Sequence, residues 1–189
     1  MEVNTIAVIG AGAQGREIAC ASALGGYKTV LEDISSRVLE EAMAWIRKSL
    51  GEGGARGKFK AGFNNQALSL LSTAADVKDA IRDAELIIET VAEELEMKLE
   101  LFTIFDRFAK TSAIFASTAS SVSITDFTDI VVSRERCIGM HFSRSLSNGE
   151  LVELLRTPYT SDDTVAICRE VARRMGKEVA VVNEAPQNI

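Results

Sequence analysis

Short apolar runs alternate with longer segments of helical periodicity along the whole of this 189-residue chain. Runs of this length that are rich in Val, Ile and Leu predict buried strands. We place them at residues 6–9, 29–31, 84–89, 113–116, 137–142, 151–155 and 179–182. Strands that alternate with helices predict an α/β sheet, parallel in its first half, with helices on both faces.

The helical segments are indicated by apolar residues that recur every three or four positions. They are predicted at residues 13–25, from Ser35 or Ser36 to residue 50, at 66–71 and 74–81, from Glu93 onwards, and from a capping run at 161–163 to Met175, with Gly176 as stop signal. The second helix would bury Val38, Ala42, Ile46 and Leu50. The helix from Glu93 would bury the stripe Met97, Leu101, Ile104, Phe105 and Phe108.

Three spaced glycines follow the first strand, in the sequence I-A-V-I-G-A-G-A-Q-G. In a G-x-G-x-x-G pattern the first glycine, Gly10, allows a sharp turn, and the second, Gly12, lets a pyrophosphate approach the backbone. The third, Gly15, lets the next helix pack closely on the sheet. That helix would direct the free N–H groups of its first turn, at Ala13 and Gln14, towards the phosphates of a dinucleotide.

An acidic pair, Glu32 and Asp33, ends the second strand, and Asp33 lies twenty-three residues after Gly10. A carboxylate at this distance accepts hydrogen bonds from ribose hydroxyls and repels a 2′-phosphate, which predicts NAD rather than NADP as cofactor. The alternative is that Asp33 only caps the following helix. The order strand, glycine turn, helix, strand and acid favours the cofactor and a Rossmann-type, doubly wound, mostly parallel sheet.

Composition narrows the class of protein. The formal charge of −6 argues against non-specific binding to nucleic acid or to an anionic membrane, and no apolar stretch approaches the roughly 18 residues of a membrane span. The odd number of widely spaced cysteines predicts reduced thiols in a soluble, cytoplasmic protein rather than disulfides or a metal site. They are Cys20, Cys137 and Cys168.

A glycine-rich stretch at residues 51–62 breaks the helical periodicity and predicts a loop. Its cations are either solvated or meet the phosphates of a ligand. They are Arg56, Lys58 and Lys60.

The chain contains one histidine, His141, so proton transfer by an imidazole of this chain would use it. By position alone His141 could be a half-buried packing residue. Glu153 lies in the next strand, where a buried acid needs a partner. If the two strands are neighbours, Glu153 can accept a hydrogen bond from one imidazole nitrogen and leave the other as a general base. Ser120 would supply a hydroxyl to the same cleft or cap the segment after it.

Ligands of parallel α/β sheets bind beyond the carboxyl ends of the strands. Several candidate residues fall at predicted strand ends and should therefore converge on one crevice. They are Gly10, Asp33, Thr90, residues 117–121 and His141.

With these motifs the chain resembles the NAD-binding domain of the L-3-hydroxyacyl-CoA dehydrogenase family over almost its whole length. The resemblance rests on V-I-G-A-G-A-Q-G, V-L-E-D, A-E-L-I-I-E-T-V-A-E-E-L-E-M-K, I-F-A-S-T-A-S-S, G-M-H-F and L-V-E, with matching spacings. It implies one dinucleotide-binding domain over residues 1–189. We expect the family's C-terminal helical domain, which makes a homodimer in full-length members, to be absent from these 189 residues.

The resemblance also implies roles for single residues. The family's catalytic histidine and its partner glutamate fall on His141 and Glu153, and its active-site serine falls on Ser120. Its cofactor-contacting glutamate and lysine fall on Glu93 and Lys98.

Two departures from the family pattern concern the active site. The family's A-S-N-T-S-S reads A-S-T-A-S-S here, with Thr118 and Ala119, and its H-F-F-N-P reads H-F-S-R-S. We therefore expect Ser143 on the nicotinamide side of the cofactor. The motif also brings a new cation, Arg144, beside the active site and loses its proline to Ser145.

The implied activity is NAD-dependent oxidation of a 3-hydroxyacyl-CoA to a 3-ketoacyl-CoA, with His141 as general base and Ser120 orienting the alcohol oxygen. Arg144 favours an alternative substrate, a small hydroxy acid or other carboxylate-bearing alcohol, because a guanidinium can bind a carboxylate through two hydrogen bonds. A third hypothesis is a non-catalytic NAD-binding fragment that needs a helical partner domain.

Overall fold

The computed structural model of the protein describes residues 1–55, 63–120, 123–144 and 150–183. The strands are β1 (Thr5–Ile9), β2 (Lys28–Glu32), β3 (Leu71–Ala74), β4 (Leu86–Glu89), β5 (Ile114–Ser117), β6 (Cys137–Arg144), β7 (Glu150–Arg156) and β8 (Glu178–Asn183). The helices are α1 (Ala13–Leu24), α2 (Ser36–Ala55), α3 (Phe63–Ser69), α4 (Val77–Ile81), α5 (Leu95–Phe108), α6 (Ile124–Thr128) and α7 (Asp162–Arg174). In these ranges no helix combines the length and the apolar character that a membrane span requires.

All of these strands belong to one sheet, in the order β3-β2-β1-β4-β5-β6-β7-β8. The first six run parallel, β7 is antiparallel to β6, and β8 is parallel to β7. The strand order changes direction at β1, and ligands of such sheets bind at the carboxyl ends of the strands beside that point. The predicted α/β, mostly parallel, doubly wound sheet is confirmed.

Helices cover both faces of the sheet, because alternate strand residues point to opposite sides. On one face α1, α2 and α7 pack against strand residues such as Val8, Leu31 and Ile88. On the other face α4, α5 and α6 pack against residues such as Ile9 and Ile87. Four aromatic rings on that second face stack edge to face or tilted, at centroid separations of 4.8 to 6.2 Å. They are Phe102, Phe105, Phe115 and Phe127.

Local signals fix several helix ends. The side chain of Ser161 accepts a hydrogen bond from the N–H of Thr164 and caps α7, and Gly176 follows that helix with φ of +77°. Both were predicted. The side chain of Asp76 accepts hydrogen bonds from the N–H groups of Lys78 and Asp79 and caps α4.

The predictions between residues 66 and 81 are partly wrong. Residues 71–74, where one helix was predicted to end and another to begin, form strand β3, and α4 begins only at Val77. β3 is an edge strand, and its two central residues, Ser72 and Thr73, are exposed. An edge strand needs no apolar run because it is not buried on both faces, so the sequence carried no strand signal there.

The predicted end of the second helix is also wrong. α2 continues to Ala55, through Gly51 and Gly53. Glycine in a helix costs only about 1 kcal/mol per residue relative to alanine, which the fully buried Leu50 one position earlier helps to offset. The predicted cations Arg56, Lys58 and Lys60 lie outside the described residues.

The predicted buried stripe of α5 is partly wrong: Phe105 is buried and Leu101 and Ile104 are half-buried against the core, but the two end members are exposed. The buried residues are Lys98, Phe102 and Phe105, whereas Met97 and Phe108 are 41% and 40% exposed. Positions 98, 102 and 105 follow helical spacing, but the first is a lysine, so the apolar pattern pointed to the neighbouring face.

His141 was predicted at a strand end, but it lies inside β6, which is the longest of the described strands. β5 pairs only with the first three residues of β6, and Ser117 lies opposite Gly139. β6 then continues beyond the carboxyl edge of β5, paired with β7 alone. His141 therefore lies at the same edge of the sheet as the segment that follows Ser117.

Candidate cofactor and active site

The glycine turn lies between β1 and α1 and packs against the end of β4. Gly10 has φ of +99°, and its N–H donates to the carbonyl oxygen of Glu32 at 2.9 Å. A Cβ on Gly15 would lie 1.8 Å from the Gly10 carbonyl oxygen. The Thr90 hydroxyl donates to the carbonyl oxygens of Ile9 and Gly10, at 3.0 and 2.9 Å. Gly10 and Gly15 are thus required by the turn's own packing.

Gly12 is different from its two neighbours. A Cβ on Gly12 would have no protein atom within 4 Å, and its backbone is extended, with φ of −62°. The protein's own packing and backbone therefore do not require glycine there. Open space above the first turn of α1, where the N–H groups of Ala13 and Gln14 begin the helix, fits a bound pyrophosphate.

Asp33 lies directly beyond β2, beside the glycine turn. One carboxylate oxygen accepts from the N–H of Ala11 at 3.0 Å, and the other accepts from the N–H of Ser35 at 2.9 Å. The cap of α2 is Ser35, whose hydroxyl oxygen accepts from the N–H of Val38 at 3.4 Å. Each oxygen of Asp33 keeps a second lone pair for a ribose hydroxyl. The next residue, Ile34, was not singled out in the sequence, and it is 91% exposed.

The loops after β4 and β5 meet at Glu93 and Ser120. The N–H and the hydroxyl of Ser120 both donate to one carboxylate oxygen of Glu93, at 2.8 and 3.2 Å. Both side chains are exposed. Ser120 does not begin α6, which starts at Ile124, so the structure places it with Glu93 instead of at a helix cap. The neighbouring Ser121 lies outside the described residues.

Thr118 connects this region to the glycine turn. Its hydroxyl donates to the side-chain oxygen of Gln14 at 3.1 Å. The departure from the family pattern at Thr118 thus creates a hydrogen bond between the segment after β5 and the first turn of α1.

Lys98 does not lie at the surface of the site. Its side chain is 1% exposed, and its ammonium nitrogen is 2.9 Å from both carboxylate oxygens of Glu89, the last residue of β4. In the structure it pairs with Glu89 inside the protein, and its cofactor contact, which the resemblance implies, stays a prediction. Glu89 was missed in the sequence, where the only available signal was an acid at the end of an apolar strand. Its further partner Ser117 was placed at a predicted strand end but was given no role of its own.

His141 and Glu153 face each other across the antiparallel β6–β7 ladder, as predicted for neighbouring strands. The imidazole Nδ1 lies 3.6 Å from a carboxylate oxygen of Glu153. This is too long for the predicted hydrogen bond, although such bonds often tighten only when substrate binds. The two side chains are 36% and 38% exposed, so the prediction of a buried acid is wrong. The pair lies where β6 extends past the end of β5, and β8 is paired with β7 on the other side of Glu153.

The two residues that follow in β6 differ in what the structure describes. The Ser143 hydroxyl lies 3.5 Å from the carbonyl oxygen of Leu151, at the limit of a hydrogen bond. Arg144 pairs with Glu150 in the ladder, but its side chain and Ser145 lie outside the described residues.

A cavity of about 490 Å³ lies on the α1 face of the sheet. Its walls include Gln14, Ile18, Trp45 and Ser49 from α1 and α2, and Phe142 and Ser143 from β6. Neither His141 nor Glu153 is among its lining residues, although Phe142 directly follows His141. The cavity is therefore not formed by the pair, whose two side chains are about one third exposed.

The cysteines supply no nucleophile to this site, although Cys20 is among the residues that line the cavity. All three are buried and free of disulfides, which confirms the prediction of reduced thiols. Burial raises the pKa of Cys20 to about 11 and those of Cys137 and Cys168 to about 12. They remain protonated near neutral pH and are not nucleophiles.

Comparison with known proteins identifies the fold and the glycine turn. The family described as "3-hydroxyacyl-CoA dehydrogenase, NAD binding domain" matches residues 5–185. This chain belongs to that family. The cofactor of the domain is accordingly NAD, which fits the open space at Gly12 and the position of Asp33.

Three relatives illustrate the family. The 3-hydroxybutyryl-CoA dehydrogenase of Bradyrhizobium diazoefficiens is 36% identical over 184 residues, which are 97% of this chain and 62% of that protein. A structure of 3-hydroxybutyryl-CoA dehydrogenase from Escherichia coli K12 has a TM-score of 0.92 and 31% identity, over 98% of this chain and 39% of that one. A structure of 5-formyl-3-hydroxy-2-methylpyridine 4-carboxylic acid 5-dehydrogenase, described as an NAD⁺-dependent dismutase, has a TM-score of 0.84 and 27% identity, over 98% and 59%. The chain thus spans about three fifths of its curated relative from Bradyrhizobium diazoefficiens.

Proposed function

We propose that this protein catalyses reversible oxidation of a 3-hydroxyacyl-CoA to a 3-ketoacyl-CoA with NAD. The observation that carries the proposal is the pairing of His141 with Glu153 at the sheet edge where the glycine turn lies. The names of the relatives support the substrate class, since two of the three act on 3-hydroxybutyryl-CoA. NAD, when bound, supplies the hydride acceptor.

His141 removes the hydroxyl proton of the substrate in this mechanism. Its Nδ1 faces Glu153, which leaves Nε2 to act as the base. The carboxylate of Glu153 orients the ring and stabilises the imidazolium that forms. Because about one third of each side chain is exposed, few contacts hold His141 and Glu153 together before substrate binds. We expect their distance of 3.6 Å to shorten when bound substrate covers the pair.

The other site residues bind and orient. Ser120 is held by Glu93 and would donate its hydroxyl hydrogen bond to the alcohol oxygen once substrate replaces that partner. Asp33 would accept from the adenosine ribose, and the exposed Ile34 would cover one face of the adenine with an apolar side chain. Ser143 would lie on the nicotinamide side.

A second candidate is a dehydrogenase of a small carboxylate-bearing alcohol. The guanidinium of Arg144 follows the active-site strand, and one relative acts on a pyridine carboxylic acid by its name. A third candidate is a non-catalytic NAD-binding fragment, because the chain spans only part of its relatives.

We extend the proposal to the whole protein. Residues 1–189 act as one dinucleotide-binding domain that carries the active-site histidine, and a full-length form adds a helical domain and is a homodimer in the cytoplasm. The greater length of the relatives supports the additional domain. The acidic net charge of −6 argues against nucleic acid as a partner.

The test is oxidation of NADH, followed by its absorbance, with acetoacetyl-CoA and with a panel of small keto acids. The proposal expects turnover with acetoacetyl-CoA and at least a hundredfold lower turnover, roughly, for His141→Ala with unchanged NADH affinity. Turnover of keto acids alone would establish the second candidate. NADH binding without turnover of either class would establish the third.

A further inference from the structure

A buried group of charged and polar side chains lies under the two loops that follow β4 and β5. We propose that Glu89, Lys98 and Ser117 form a positioning network for these loops, in which Lys98 acts on the loops through Glu89. The inference rests on the proposed function, because the loops matter only if NAD and substrate bind beside them.

Every polar side-chain atom of Glu89, Lys98 and Ser117 takes part in at least one hydrogen bond. The ammonium of Lys98 is 2.9 Å from both oxygens of Glu89, and the two side chains are 1% and 0% exposed. One oxygen of Glu89 also accepts from the N–H of Val91 at 2.7 Å, and the other accepts from the Ser117 hydroxyl at 2.5 Å. The Ser117 oxygen in turn accepts from the N–H of Ala119 at 3.1 Å.

These bonds tie together three separate elements. Glu89 is the last residue of β4, Ser117 is the last residue of β5, and Lys98 lies in the first turns of α5. The bonded N–H groups of Val91 and Ala119 lie in the first residues of the two loops. The network therefore fixes the direction in which each loop leaves the sheet.

The two loops carry residues that bond to the glycine turn, to α1 and to each other beside the proposed site. Thr90 bonds to the glycine turn, Thr118 bonds to Gln14, and Ser120 bonds to Glu93. A rotation of either loop would move Ser120 and Glu93 together. Misplacement of a reacting group by about 1 Å can lower a rate about a hundredfold.

A role in stability alone does not account for the charges. Buried ion pairs are often replaced by apolar residues of similar volume without loss of stability, so their presence is weak evidence of stabilisation. The surroundings are apolar and aromatic, with the Phe127 ring centroid 5.9 Å from the Lys98 ammonium. Apolar replacements could not accept the hydrogen bonds from the N–H groups of Val91 and Ala119.

The experiment measures the NAD dissociation constant by calorimetry for the full chain and for Lys98→Met, Glu89→Gln and the double variant, with thermal unfolding in parallel. If the network positions the loops, each single variant weakens NAD binding by about tenfold or more, and the double variant binds no more weakly than the weaker single one. The non-additive loss is the expected result.

Two other outcomes would overturn the inference. If Lys98 meets the cofactor through its charge, Lys98→Met weakens binding, whereas Glu89→Gln leaves it unchanged or tightens it because the positive charge is no longer neutralised. If the group only stabilises the fold, both variants lower the melting temperature while the folded protein binds NAD with unchanged affinity.

Two further variants keep the test decisive. Ser117→Ala leaves the ion pair in place and removes the acceptor of the Ala119 N–H, so it should fold and should lower kcat with acetoacetyl-CoA about tenfold, with a smaller change in NAD affinity. An unchanged kcat counts against the inference. Lys110→Met is the control, because it removes a different ion pair, which joins Lys110 in the α5–β5 connection to Glu85 just before β4. It should leave NAD affinity unchanged.

The outcomes also separate this inference from the proposed function. If the unmodified protein binds no NAD, the proposed function and the inference both fail. If it binds NAD and Glu89→Gln binds NAD equally tightly, only the network inference fails.

Discussion

Glu32, the last residue of β2, is a buried acid whose protonation should govern how stability depends on pH. The residue is 4% exposed and lies beside Asp33 and Asp76. Burial, and then the negative charges of these two neighbours, raise the pKa of Glu32 from 4.5 to about 7. The folded protein therefore holds this proton more tightly than the unfolded chain does.

The sign and the size of the effect follow from that difference. The contribution of Glu32 to the free energy of unfolding is fully present below pH 4.5, which is its pKa in the unfolded chain. This contribution is lost as the pH rises through about 7, its pKa in the folded protein. A shift of one pKa unit corresponds to 1.36 kcal/mol, so the full loss is about 3 kcal/mol. Between about pH 5 and about pH 8 the loss is about 2 to 3 kcal/mol, since part of it has already occurred at the lower pH.

Glu32→Gln removes this titration while keeping the shape of the side chain. Its free energy of unfolding relative to the unmodified protein should rise by about 2 to 3 kcal/mol between about pH 5 and about pH 8. Urea unfolding at a series of pH values measures this difference directly. The matched control is Glu40→Gln on the exposed surface of α2, which should show no such trend. A constant difference between Glu32→Gln and the unmodified protein would refute the reasoning.

Three further predictions concern the site. His141→Ala and Glu153→Gln should each lower kcat about a hundredfold with NAD affinity retained, and steady-state kinetics of the double variant should show less than the product of the two losses; a full product would mean that the residues act independently. Asp33 should make NAD bind more tightly than NADP, and a titration that shows equal or tighter NADP binding would contradict its assigned role. Gly15→Ala should disrupt the fold, whereas Gly12→Ala should leave the melting temperature nearly unchanged and weaken NAD binding; unchanged affinity of Gly12→Ala would show that no ligand approaches there.

The sequence predicted those parts of the structure that depend on local pattern. The glycine turn was predictable because strand, turn and helix are contiguous, and Gly10 and Gly15 are required by contacts within it. The pairing of His141 with Glu153 was predictable because two consecutive strands with a short connection are usually neighbours. The exposure of Glu153 was not predictable, since it depends on which other elements cover this part of the β6–β7 ladder.

Features that depend on distant parts of the chain escaped the sequence. From the sequence alone, Lys98 is expected to be a surface residue or a ligand contact. Its buried position follows only from the ion pair with Glu89. The buried face of α5 was only partly predicted for the same reason, because a paired lysine occupies a position normally held by an apolar residue. The sequence of β3 gave no strand signal, because these residues are extended only through their pairing with β2.

The position of His141 and Glu153 on one hairpin has a consequence for how the protein reaches its native state. The two residues are separated by twelve positions, and their contact needs only the β6–β7 ladder. The contact of Thr90 with Gly10 joins residues eighty positions apart. Closing a longer loop loses more chain entropy, and contacts between distant residues form more slowly. We therefore expect the proton-transfer pair to be assembled early in folding, whereas the cofactor turn becomes complete only when β1 and β4 join late in the process.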